Sequence, residues 1–410
     1  MGTGPRCHGR AARSGGLEVA ELFAAHRAAY QQRYALGRAE RRVVADILRC
    51  RTAALGGHLE ICSACGLERP AYNSCRNRHC PKCQSLRQAR WVSQRMKRVL
   101  PTHYFHVVFT LPAELHGLAR ANRALFFDVL LRSAAATLLE LGRDPRWLGQ
   151  AAELAVTTVL HTWTRQLRFH PHAHCIVSGG GLSADGERWI PAPSEFLFPV
   201  HVLGALFRGK VLAALEQARR EGRLTWPDTE RERRQTRRLR RLYRKSWVVY
   251  AKRPFGGPEQ VHRYLGRYTH RVAISNARLV ATDGAQVTFR TRGTHTVTLS
   301  GVEFLRRFLD HVLPDGFVKI RHDGLLASCK VRTRLARART LLSSGPGEAS
   351  HETLDHDDHD DADWPVLLRG LTGIDVRVCP RCHRHTLRRV PLGSATHGAR
   401  GPPRLAEAAA

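Results

Sequence analysis

Aromatic residues are scarce in this 410-residue chain, at 7%, and no apolar run approaches the roughly 18 residues that a membrane helix needs. The greasiest stretch, residues 124–131, is interrupted by Asp128. The basic first sixteen residues lack the apolar centre of a signal peptide. These absences count against a secreted or membrane protein and point to the cytoplasm. Acids are also short: 35 Asp and Glu face 66 Lys and Arg, a net charge of +31. Lysine itself is rare, supplying seven of the 66 cations. A GC-rich genome would explain arginine over lysine, but not the missing acids. The balance implies a polyanionic partner, with nucleic acid first, because the guanidinium fork suits phosphate.

No internal repeat is apparent, and the chain alternates between β-rich and helical texture. Residues 19–49 read as helical. Strands are expected at 103–111, 153–163, 171–179 and 246–253, with the third ended by Gly179, Gly180 and Gly181. Helical periodicity runs over 114–141, 201–221, 258–271 and 302–313. Residues 277–291 carry a hairpin signature with Asp283-Gly284 at its turn, followed by a strand at 295–300. The fold class is therefore α+β. A segment rich in His and Asp (341–363) reads as a solvated linker, and a tail with a CPRC motif follows.

Eleven cysteines are present, six of them between Cys50 and Cys83, in no pattern of a disulfide framework. Cys62-x-x-Cys65 and Cys80-x-x-Cys83 are two knuckles separated by fourteen residues, close to zinc-ribbon spacing. Cys50, His58, Cys75 and His79 are four further candidates, so the segment has ligands for one or two zinc ions. Cys379 and Cys382 in the tail are weaker candidates, since His383 follows Cys382 too closely to join the same tetrahedron. Arg76 and Arg78 lie among the ligands and are expected to meet DNA phosphates.

The segment HPHAH (170–174) alternates strictly. On a strand His170, His172 and His174 share one face, while Ala173, Cys175 and Val177 point into an apolar layer. Imidazoles two residues apart can reach a single divalent ion. Farther on, Tyr264 and Tyr268 are four residues apart within RYLGRYTHR, so a helix stacks their hydroxyls on one face. Arg263, Arg267, His270 and Arg271 make that neighbourhood cationic, which favours the phenolate of a group with a pKa of about 10. A metal site, paired tyrosines and a basic chain together suggest strand cleavage through phosphotyrosine.

Six blocks carry a family resemblance: CRTAALGGH (50–58), YNSCRNRHCPKC (72–83), VLHTW (159–163), FHPHAHCIVSGGGL (169–182), YLGRYTHRVAISNARL (264–279) and RRFLDHVLPDGFVKIRHDGLLA (306–327). Together they span about 280 residues. The chain resembles the two-tyrosine rolling-circle bacterial insertion-sequence transposases, the family numbered ninety-one, and its common-region relatives. It departs from their pattern at Asp323, where an aromatic commonly follows the histidine.

The resemblance implies a small N-terminal zinc-binding domain followed by an HUH endonuclease domain with a central antiparallel sheet flanked by helices. The expected division is a basic terminus (1–18), a zinc-binding, DNA-contacting domain (19–100), the catalytic domain (101–340), the linker (341–363) and the tail (364–410). His172 and His174 would hold a catalytic Mg²⁺ or Mn²⁺, with Gln260 or His262 as the third ligand. Tyr264 and Tyr268 would be the nucleophiles, Arg267 and Arg271 DNA contacts, and single-stranded DNA the partner at cleavage. The protein would work in the bacterial cytoplasm, at the nucleoid when acting. Two readings compete: a catalytically silent zinc-containing DNA-binding protein, and a metal-dependent phosphohydrolase that needs HPHAH but no tyrosine.

Overall fold

The computed structural model describes residues 16–83, 95, 97–226, 237, 239–255, 273–343, 366, 369 and 375–392. The helical stretch expected at the N-terminus is two helices, α1 (Val19–Gln31) and α2 (Arg38–Arg49), separated by a turn that ends at Gly37. Glu40 closes that second start by accepting from the Gly37 N–H at 2.9 Å, which satisfies an otherwise orphaned helix donor. A small antiparallel sheet follows, with β1 (Gly57–Cys62), β2 (Glu68–Tyr72) and, from the far end of the chain, β12 (Leu387–Leu392) in the order β12-β1-β2.

The central sheet is antiparallel throughout. Its main strands are β3 (Tyr104–Thr110), β4 (Ala152–Trp163), β5 (Phe169–Ser183), β7 (Val249–Phe255) and β11 (Ile320–Gly324), in the order β11-β4-β5-β3-β7. A short β6 (Trp189–Pro191) pairs with the end of β5. Period-two alternation gives this sheet two unlike faces. One presents Phe105, Val107 and Phe109 from β3, Leu160 from β4, and Ala173, Cys175 and Val177 from β5 to a buried apolar cluster. Two 21-residue helices cover it, α3 (Arg123–Arg143) and α4 (Val200–Arg220). They contribute Phe127, Leu130, Leu131, Ala134 and Leu138, and Leu203, Phe207, Val211 and Leu215, at helical three- and four-residue spacing.

The three glycines expected to end β5 lie inside it instead, and the strand runs on to Ser183. At Gly180, with φ +142, an added Cβ would stand 2.5 Å from the Ile190 carbonyl, so β6 can approach only a glycine there.

A third sheet, β10-β9-β8, holds β8 (Leu279–Thr282), β9 (Gln286–Arg290) and β10 (Thr296–Ser300), with the expected Asp283-Gly284 turn between the first two. Helix α5 (Gly301–Leu309) follows directly, capped by Ser300, and α6 (Ala336–Ser343) closes the main body. Val19, Leu22, Phe23, Val43 and Ile47 pack with Phe289, Phe304, Leu305 and Phe308 in a second core. Stretches read separately in sequence, 19–50 and 273–312, thus share one apolar interior. The fold is α+β, as expected. Residues 341–343 of the expected linker belong to α6, while the helix expected at 258–271, the rest of the linker and the ends of the chain lie outside the described residues.

Candidate functional site

The face of the central sheet turned away from α3 and α4 carries the histidines. Antiparallel pairing sets His161 of β4 directly across from His172 of β5, and Val159 across from His174. Side chains of cross-strand partners project to the same face. His161, His172 and His174 consequently offer ring nitrogens that all lie within 4.8 Å of one another. His161 and His174 are buried and His172 is half-buried, so the group opens on one side. His170 shares that side of the strand, but lies outside the three-histidine group.

Hydrogen bonds orient the rings of His172 and His174. His172 Nδ1 lies 2.7 Å from the His170 carbonyl oxygen, which can only accept, so Nδ1 holds the proton and Nε2 keeps its lone pair. His174 Nδ1 lies 2.8 Å from Nε2 of His106 on β3, so a metal would meet His174 at Nε2. Burial, then Lys252 and His172, pull His106 down to about 3, and burial above all brings His172 down to about 4. Both rings are therefore neutral near pH 7, which for His172 is the form able to bind a metal and for His106 leaves a ring nitrogen able to accept from His174. The indole of Trp163 stacks on His161 at 4.9 Å between ring centres.

His161 carried no periodicity signal, being one histidine in an apolar strand. Its one sequence signal was its place in the VLHTW block, and its register against HPHAH is what brings it to the group. The third-ligand candidates Gln260 and His262 lie outside the described residues. So do Tyr264, Tyr268, Arg267 and Arg271, in the segment between β7 and Ala273.

Eight of the ten described cysteines form two groups, and neither is the one spacing suggested. Cys50, Cys75, Cys80 and Cys83 converge in one, and Cys62, Cys65, Cys379 and Cys382 in the other. The two knuckles expected to share a site are split between them. Neighbouring sulfurs stand 3.3 Å apart at Cys50–Cys83 and 3.6 Å apart at Cys75–Cys83, Cys62–Cys382 and Cys65–Cys379. A ZnS₄ tetrahedron with bonds of about 2.3 Å has edges of about 3.8 Å, so both donor sets fit zinc. The Thr386 hydroxyl, ahead of the Cys65 and Ala64 backbone, pushes Cys62 down to about 6, which favours its thiolate.

The two histidines proposed as zinc ligands join neither tetrad. His58 Nε2 lies 3.6 Å from a Glu60 carboxylate oxygen, and His79 Nε2 accepts from the Leu313 N–H at 3.4 Å. Arg78, expected at DNA, donates to the carbonyls of Phe317 (2.6 Å) and Pro314 (3.0 Å), so it clasps the loop before β11. Arg76 is exposed and lines an open cleft of about 370 Å³ together with Arg42 and Asp46.

Comparison with known proteins bears on these sites. Residues 155–333 match the family described as "Putative transposase", and residues 22–111 match the "Transposase zinc-binding domain". The chain is 45% identical over 400 residues to "Putative transposase y4qJ" of Sinorhizobium fredii (strain NBRC 101917 / NGR234), covering 95% of this chain and 98% of that one. It is 27% identical over 306 residues, 70% of each chain, to "Transposase for insertion sequence element IS801" of Pseudomonas savastanoi pv. phaseolicola. No solved structure matches it.

Proposed function

The chain belongs to the IS91 family of rolling-circle insertion-sequence transposases, and on that footing we propose that it nicks and rejoins single-stranded DNA at insertion-sequence ends through a tyrosyl-phosphate intermediate. The observation that carries this reading is the convergence of His161, His172 and His174 on one face of the central sheet. These three residues would hold the catalytic divalent ion, with His161 in the place expected for Gln260 or His262. A bound ion supplies positive charge to a non-bridging oxygen of the scissile phosphate. Three imidazoles with no carboxylate among them are a softer set than Mg²⁺ prefers, which favours Mn²⁺.

The chain's own residues do the rest. Burial keeps His172 neutral, and the bonds to the His170 carbonyl and to His106 orient the rings of His172 and His174. The hydroxyl oxygen of Tyr264 or Tyr268 attacks phosphorus, the P–O3′ bond breaks, and the departing 3′ oxygen gains a proton as the tyrosine loses one. The phosphodiester's energy is retained in the tyrosyl ester, so a 3′-OH reverses the step and reseals DNA without a nucleotide cofactor. The second tyrosine allows another cleavage before the first adduct is resolved. Arg267 and Arg271 would hold the flanking phosphates, and Arg76 and its cleft would meet DNA near the first cysteine tetrad. No helix among the described residues is long and apolar enough to cross a membrane, and the proposed place of work is the bacterial cytoplasm, on the nucleoid.

The test mixes the full chain with single-stranded DNA carrying an element end, with Mn²⁺ or Mg²⁺, and reads a denaturing gel and the mass of the DNA-linked peptide. An adduct on Tyr264 or Tyr268, lost in the Tyr→Phe variants and in His172→Ala, is expected. Binding without an adduct would favour the silent DNA-binding protein. Cleavage that survives loss of both tyrosines would favour the phosphohydrolase.

A further inference from the structure

The second cysteine tetrad joins parts of the chain that are far apart: Cys65 and Cys379 are 314 residues from each other. The first tetrad, by contrast, is complete within residues 50–83. We propose that Cys62, Cys65, Cys379 and Cys382 form a zinc site that staples the C-terminal tail of the chain onto its N-terminal sheet, so that the addition of β12 to β1 depends on the metal. This requires zinc binding but not the DNA chemistry proposed above.

Three independent features support the staple. The first is the donor set, four thiols with cross-segment sulfur pairs at 3.6 Å. The second is that the two CxxC turns are backbone copies of each other. In one, the Cys62 N–H donates to the Leu67 carbonyl and the Gly66 N–H to the Cys62 carbonyl, both at 2.9 Å. In the other, the Cys379 N–H donates to the Arg384 carbonyl and the His383 N–H to the Cys379 carbonyl, again both at 2.9 Å. The residue after the second cysteine is left-handed in each, Gly66 at φ +68 and His383 at φ +58. His383, which looked awkward as a ligand, is thus the turn residue of a second knuckle. It faces the first in the arrangement by which paired knuckles enclose zinc.

The third feature is the register beyond the cysteines. β12 pairs antiparallel with β1 from Gly57 opposite Leu392 to Cys62 opposite Leu387. The Ser63 N–H donates to the Thr386 carbonyl at 3.1 Å. Buried Glu60 lies between Arg69 of β2, at 2.6 Å, and Arg389 of β12, at 3.6 Å. A strand added at the end of so long a connection carries a loop-closure cost that one ladder of hydrogen bonds offsets poorly. Four thiolates closing on zinc couple that docking to metal binding. The arginines Arg388 and Arg389 come to the sheet with the strand.

The experiment uses the full chain with a protease-cleavage sequence inserted after Gly347. After cleavage in zinc-containing buffer, the two pieces are expected to co-elute at the mass of one chain, with two zinc ions per chain by native mass spectrometry. In Cys379→Ser/Cys382→Ser the tail piece is expected to separate and one zinc to be lost. The zinc that remains shows that the first tetrad is still folded. Pieces that separate with both zincs bound would overturn the proposal. So would pieces that stay together in the double variant, or an intact protein with a single zinc. Co-elution at twice the mass, with the N-terminal piece of the double variant falling to its own single mass, would also overturn it, by assigning the tail to a second copy.

Discussion

Replacing His106 tests whether the histidine group is organised as a metal site. His106 is 6% exposed and its ring lies parallel to that of His174, which is 8% exposed, with a 2.8 Å bond between Nε2 and Nδ1. Removing such a partner of a ligating histidine typically weakens metal affinity about 10–100-fold, or about 1.4–2.7 kcal/mol. His106→Ala leaves space for a water to take over the bond, so it belongs at the lower end. His106→Leu fills that space with groups that cannot accept, so it belongs at the upper end. His106→Gln retains an acceptor and should recover part of the loss. Calorimetric titration of the zinc-loaded protein with Mn²⁺ measures the affinity. The metal dependence of single-strand nicking should shift its midpoint by the same factor while its plateau stays near that of the parent. This role for His106 is refuted if His106→Leu, with its thermal transition intact, binds Mn²⁺ as the parent does. It is refuted equally if the plateau falls and the midpoint stays put.

Three further outcomes are expected. Glu153 is buried and bonded to Lys330 and Arg334; burial alone would raise its carboxyl, but those two cations overcome it and hold it below the usual range. Glu153→Gln should therefore cost roughly 1–3 kcal/mol by denaturant unfolding near pH 7. Because the folded-state carboxyl is the more acidic one, this difference should be full above its ordinary value of 4.5 and vanish as pH falls through the folded value. Arg78→Ala should lower stability by about 1.5–3 kcal/mol, through loss of the bonds to Pro314 and Phe317, yet leave the salt dependence of single-stranded DNA binding nearly unchanged. At Gly301 an added Cβ would stand 2.3 Å from the His26 ring, so Gly301→Ala should cost about 1–3 kcal/mol and lower amide-exchange protection in α1.

The parts of this molecule legible in its sequence were those governed by neighbours a few residues apart. Alternation in HPHAHCIV placed His172 and His174 on one face and Ala173 and Cys175 on the other, and the sheet has that arrangement. Helical spacing announced α3 and α4, and Asp283-Gly284 announced its hairpin. The excess of arginine over acid implied a polyanion, and the cysteine content implied metal. Ligand sets are another matter, because they depend on which strands pair, in what register, and which distant ends meet. His161 joins His172 and His174 only because β4 pairs with β5 at His172. Cys62 and Cys65 looked toward Cys80 and Cys83 by spacing, but β12 lies on β1 and brings Cys379 and Cys382 to them instead. Arg78 looked like a phosphate contact until a loop more than 200 residues away supplied carbonyls for it. Local chemistry fixes the faces of strands and helices over a few residues; only the closed tertiary structure decides which faces and which ends meet, because those contacts are selected by the packing of the whole core.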